Sequence, residues 1–197
     1  RTAELIRPIL RGRDIKRYGY NWANLWLINT HNGIRGKLER VHIEDYPAIK
    51  AHLDQYWDRI SKRADKGDTP YNLRNCAYLD LFFQPHICWK AVGRKLAFAL
   101  VEAGTFLTAP ASFISAGRYN KTVLAFLCST IGTYFVYKNS DTTGAGDIML
   151  NIQSLIKFPI PKIDIDFDDF SDREIDLYIY DIYKFTKEEI HYIEELV

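Results

Sequence analysis

Residues 78–115 constrain the fold of this 197-residue chain more than any other stretch. They are rich in aromatic and β-branched side chains, which suit a pleated, half-buried surface. Pro85, Gly93, Gly104 and Pro110 cut the stretch into short pieces, and that punctuation predicts several strands. Helical patterns flank it. Asp45 can cap a helix that has Pro47 in its first turn, and Ile49, Leu53, Tyr56, Trp57 and Ile60 recur at helical spacing. Residues 121–136 read as a second, mostly buried helix. The class is therefore α+β: a twisted, mostly antiparallel sheet with helices.

Shorter segments fill in the organisation. Residues 5–18 read as a strand or extended arm entering a turn at Gly12, and residues 24–29 as a short buried strand. Residues 139–147 form a loop by composition, and residues 156–161 are extended and close the body. Ser171 with Glu174, and Thr186 with Glu189, have the spacing of capping boxes, in which a hydroxyl and a carboxylate satisfy early helix amides reciprocally. They predict a helical hairpin over about 172–185 and 187–196. The expected division is a body, residues 1–162, and a C-terminal acidic helical segment, residues 163–197.

The net charge of +1 conceals an uneven distribution. Residues 1–100 carry 18 Lys and Arg against 10 Asp and Glu, whereas residues 163–197 carry 3 against 12. Such asymmetry points to a polyanion-binding body joined to a segment that does not touch the polyanion. The cations cluster in three places. Arg11, Arg13, Lys16 and Arg17 surround Gly12, beside Tyr18 and Tyr20. Arg59, Lys62 and Arg63 end the first helix, with Arg74 and Asn75 soon after. Lys90, Arg94 and Lys95 lie on a turn between strands. Arg and Lys neutralise phosphates, while Arg and Asn can also read base edges. The candidate DNA contacts are Arg11, Arg13, Lys16, Arg17, Tyr18, Arg63, Arg74, Asn75, Lys90 and Arg94, with Arg74 and Asn75 as candidate base readers.

Catalytic motifs are missing from the sequence. It contains no Gly-rich phosphate loop, His-Glu-x-x-His pair, paired-Cys motif or nucleophile elbow, and Gly144-Ala145-Gly146 reads as a surface loop. His31, His42, His52, His86 and His191 are scattered, and the carboxylates of residues 164–176 fit helix caps and solvated faces better than a metal site. Cys76, Cys88 and Cys128 lack metal-type spacing and read as buried free thiols, which suits a reducing cytoplasm. The longest apolar runs, residues 96–101 and 123–128, are too short to cross a bilayer, so no membrane partner is expected. The chain begins at Arg1 without Met and without a signal-peptide pattern, as a processed or excised piece would.

Several segments, in order, resemble the TaqI-like C-terminal specificity domain. They are Arg7-Pro8-Ile9-Leu10-Arg11-Gly12-Arg13-Asp14-Ile15-Lys16-Arg17-Tyr18, Leu53-Asp54-Gln55-Tyr56-Trp57-Asp58-Arg59, Pro70-Tyr71-Asn72-Leu73-Arg74-Asn75 and Phe83-Gln84-Pro85-His86-Ile87-Cys88-Trp89. Leu124-Ala125-Phe126-Leu127-Cys128-Ser129 and Phe158-Pro159-Ile160-Pro161-Lys162 follow, and the tail Ile182-Tyr183-Lys184-Phe185-Thr186-Lys187-Glu188-Glu189-Ile190 is similar to the ends of these proteins too. Cys128 stands where the family has Asn, and His86 where Lys is usual. The resemblance implies a target-recognition-like body and a non-catalytic reader of double-stranded DNA from a restriction–modification enzyme. It further implies an adenine methyltransferase domain of the same parent polypeptide that carries S-adenosylmethionine, while this chain holds no cofactor. The Asn-Pro-Pro-Tyr-type signature of that partner is absent; Thr69-Pro70-Tyr71-Asn72 recovers only part of it. Two other readings stand beside this one: a nuclease-active fragment of such an enzyme, and a protein-interaction domain using its aromatic surface.

Overall fold

In the computed structural model, which describes residues 2–197, the aromatic middle of the chain is sheet, as its punctuation predicts. The strands are β1 (Ile6–Leu10), β2 (Ile15–Lys16), β3 (Gly19–Tyr20), β4 (Trp26–Ile28), β5 (His86–Lys90), β6 (Val92–Gly93), β7 (Phe98–Val101), β8 (Phe106–Leu107), β9 (Ala111–Ile114), β10 (Asp141–Thr142) and β11 (Ile148–Met149). The helices are α1 (Pro47–Asp54), α2 (Trp57–Ile60), α3 (Asn120–Cys128), α4 (Thr130–Asn139), α5 (Ile152–Leu155), α6 (Asp172–Tyr183) and α7 (Lys187–Leu196). With 38% helix and 19% strand in antiparallel sheets, the class is α+β. Two units divide the chain. The first takes residues up to Ile9 with 24–83 and 104–106; the second takes 10–23, 84–103 and 107–197.

The second unit is built on β5. This strand lies between β7 and β9, antiparallel to both, with Cys88 opposite Ala99 and Phe113. Side chains alternate across a strand, so Ile87 and Trp89 face one way and Cys88 the other. Ile87 and Trp89 join the large core with Phe98, Phe126 and Leu127, while Cys88 packs with Leu10, Ile15, Ala99 and Val101. A second small sheet, β10-β11-β6, brings a hairpin out of the segment read as loop over 139–147.

The predicted helix over 121–136 is two helices. Ser129 takes an extended conformation (ψ 168°) and its hydroxyl accepts from the Gly132 amide at 3.1 Å, so it ends α3 and caps α4. Gly132 is required there, because a Cβ would meet the Phe126 carbonyl oxygen at 2.2 Å. Both predicted capping boxes are present, at Ser171–Glu174 and Thr186–Glu189. The first of these helices stops at Tyr183 rather than 185, because Lys184 turns left-handed (φ 57°). Ile175 and Ile179 of α6 and Ile193 of α7 enter the large core, so the acidic segment is amphipathic and its charge lies on the outer face.

The first unit has a smaller core of Leu5, Val41, Ile43 and Ile49. Strand β1 pairs antiparallel with β4, Arg7 opposite Leu27, in the order β4-β1-β8. The β4 segment is a strand, but not a buried one: Trp26 is 56% exposed. The predicted helix over 47–60 also breaks. Asp45 belongs to a preceding 3-10 turn, Tyr46 occupies the capping position, and the Gln55 and Tyr56 amides bond tightly back before α2 begins. Only Ile49 of its apolar positions is buried on α1, and Tyr56 and Trp57 stay exposed, so the packing needed to hold one long helix is absent.

Candidate nucleic-acid interface

The turn around Gly12 sorts its four cations into two kinds. Arg11 precedes a 3-10 turn, and its guanidinium grips Asp14 through Nε (3.0 Å) and Nη2 (2.8 Å), while its amide donates to the same carboxylate. Asp14 is only 5% exposed. The hydrogen bonds from Arg11 hold its carboxyl below the usual carboxylate range. Arg17 is also engaged: it donates to the Cys128 carbonyl at the end of α3 (2.8 Å from Nη2) and pairs with Asp172 in the first turn of α6. Tyr18 closes the β2–β3 turn in the left-handed region (φ 64°), and its ring lies under the Arg17 guanidinium, 4.7 Å away. Burial pushes the Tyr18 hydroxyl upward, so it stays a neutral donor.

Arg13 and Lys16 differ. Both are exposed, and neither has an ion-pair partner among the described residues; the Lys16 ammonium donates only to the Arg13 carbonyl, at 3.3 Å. The structure adds Lys90, which the sequence separates from them by more than seventy positions. Its stem lies across Gly12, where an added Cβ would stand 3.0 Å from Lys90 Cγ. The bare face of Gly12 thus seats the stem while the Lys90 side chain keeps its exposure. Arg94 is tied into the β10–β11 hairpin by Asp147 (3.1 Å) and the Ala145 carbonyl (3.2 Å).

In the first unit, Arg63 stitches a loop: its Nη2 donates to the carbonyls of Pro70 (3.2 Å) and Asn72 (2.9 Å). Arg74 and Asn75 follow on that loop, both exposed, and the Asn75 side-chain oxygen accepts from Asn32. Asn32 starts an element that the sequence does not announce, a hairpin in which Ile34 and Leu38 pair across Arg35-Gly36-Lys37. With Asp68, Asn75, Cys76 and Ala77 it lines an open groove of about 950 Å³. Two glycine-bearing turns, Asn32-Gly33 and Gly36-Lys37, bracket a cation and carry a hairpin signal that charge counting alone passes over.

Taken together, these features define an α+β domain with cation-bearing turns in each unit and, among the described residues, no trio of His, Cys, Asp or Glu fit to hold a metal. Nor is any helix long and apolar enough to cross a membrane. Residues 7–160 match the family described as TaqI-like C-terminal specificity domain, and the chain belongs to that family. It is thus a specificity domain of the kind used for DNA recognition in restriction–modification. No curated protein matches the chain. The family match stops at Ile160, although α6 and α7 beyond it supply core side chains to the second unit.

Proposed function

We propose that this chain reads double-stranded DNA and holds a methyltransferase domain, which carries S-adenosylmethionine and lies outside residues 1–197, over its target adenine. The observation that carries this reading is that Arg13 and Lys16 of the Gly12 turn, and Lys90, whose stem crosses Gly12, are all exposed and without an ion pair among the described residues. Cations already neutralised inside a protein must break those bonds to grip a phosphate, whereas unpaired ones release counterions at no such cost. Arg13, Lys16 and Lys90 therefore grip phosphates in the second unit, and Arg74 and Asn75 contact DNA in the first. Arg11, Arg17 and Arg63 act by holding the loops in shape. Tyr18 and Arg94 complete the turn and hairpin on which those cations stand.

The test replaces Arg13 and Lys90 together with Ala and measures duplex binding by fluorescence anisotropy across a salt series. Each lost phosphate contact lowers the log–log salt slope by about 0.9, so the double variant loses about 1.8. An unchanged slope, with the fold intact by circular dichroism, overturns the reading.

A further inference from the structure

We infer that the hairpin from Asn32 to Arg40 reads base edges, with Arg35 at its tip aimed at a guanine in the major groove; this rests on the DNA-reading function proposed above. The hairpin is rigid at its base. The buried side chain of Asn72 donates to the carbonyls of His31 (3.3 Å) and Val41 (2.9 Å), one on each arm, and accepts from the Thr69 hydroxyl at 2.7 Å. The Val41 amide closes the arms on the His31 carbonyl at 3.0 Å. Gly33 makes the crossing possible: at φ 73° an added Cβ would lie 2.4 Å from the Leu38 carbonyl oxygen. Above that base the tip is narrow, three residues between Ile34 and Leu38, and Gly36 (φ 75°) has nothing within 4 Å of where a Cβ would stand. A tip of three residues closed by the single Ile34–Leu38 bridge is slim enough to enter the major groove of B-DNA, about 12 Å wide.

The chemistry at the tip favours bases over phosphates. Arg35 is exposed and has no ion pair or hydrogen bond among the described residues, so its fork of donors is free for the two acceptors of a guanine edge. Lys37 lies 3.9 Å from Asp80 with both side chains well exposed, a pairing that is weak in water. Along the groove the hairpin faces Asp68 and Asn75, joined through the Asn32 amide. A carboxylate there repels phosphate oxygens, but it accepts from the amino groups of cytosine or adenine. The Asn75 amide nitrogen supplies donors beside it.

The experiment enriches a pool of duplexes with a randomised centre on the full 197-residue chain, alongside Arg35→Ala, Arg35→Lys and, as a charge control, Lys157→Ala. The wild type and Lys157→Ala enrich the same motif. Arg35→Ala loses discrimination at one G·C pair of that motif by roughly 5- to 150-fold, the usual worth of a bidentate contact. Lys restores the charge without the fork, so Arg35→Lys regains affinity for the unselected pool but not the lost base preference. Retention of the full motif by both Arg35 variants overturns the hairpin assignment and leaves the DNA-reading function standing. If the wild type enriches nothing, the DNA-reading function itself fails.

Discussion

The turn around Gly12 and the hairpin from Asn32 to Arg40 are both basic and both exposed, yet they are held by opposite means. The turn is organised by charge: Arg11 closes on the buried Asp14, and Arg17 reaches the end of α3 and the start of α6. Half of its cations are thus part of the scaffold. The hairpin is organised by a neutral amide, Asn72, and by a glycine; Arg35 and Arg40 carry no ion pair among the described residues, and the exposed Lys37 meets Asp80 only at 3.9 Å. A loop whose charges also hold its shape cannot change those charges without changing its shape. A loop held by a neutral anchor can vary its tip freely, which suits an element that sets sequence preference.

The contrast predicts two stability effects of different kinds. Asn72→Ala removes three hydrogen bonds and takes the side-chain donor from the buried Val41 carbonyl, while the His31 carbonyl keeps only the Val41 amide. It should cost about 2–4 kcal/mol in urea unfolding, with little dependence on pH. Asp14→Asn should cost somewhat less, about 1.5–3 kcal/mol at neutral pH, because the half-exposed Arg11 regains water when its partner is lost. Its cost is pH-dependent. The folded carboxyl of Asp14 is held below its ordinary range, so its contribution is fully present above that range and disappears as pH falls through the folded value. The stability gap between wild type and Asp14→Asn should therefore shrink as pH falls below about 4. A gap that stays constant to acid pH would mean that the Arg11–Asp14 pair is not what holds the turn.

How far these two regions could be read from sequence follows from the same difference. Periodicity and punctuation are local, and they located the strands of residues 86–114, both capping boxes and the α+β class. Helix interruptions at Ser129 and Gln55 escaped because each depends on tertiary fit: Gly132 against the Phe126 carbonyl, and an apolar stripe with too little to pack on. Charge counting found the basic turns but could not tell Arg11 from Arg13. The Asp14 that occupies Arg11 is visible three positions away, whereas Asp172, which occupies Arg17, is 155 residues distant. The hairpin was passed over because its anchor, Asn72, lies far along the chain and its own cations are few.

The smallest effect is kinetic and probes the hairpin groove directly. Cys76 lines that groove and is half-buried, whereas Cys88 and Cys128 are buried in the second unit. Burial pushes all three thiols up, Cys88 to about 12 and Cys128 to about 11, so none is an activated nucleophile. Access then decides the order: an alkylating reagent should label Cys76 slowly in the folded chain and reach the other two only on unfolding. If the hairpin enters DNA, saturating duplex should slow labelling of Cys76 in proportion to the bound fraction, read by mass spectrometry, and leave the other two thiols unchanged. Equal Cys76 rates with and without saturating duplex would place the groove outside the interface. Arg13, Lys16 and Lys90, which have no ion pair among the described residues, would then carry the binding, and a reader that grips only phosphates has no means of choosing a sequence by direct contact.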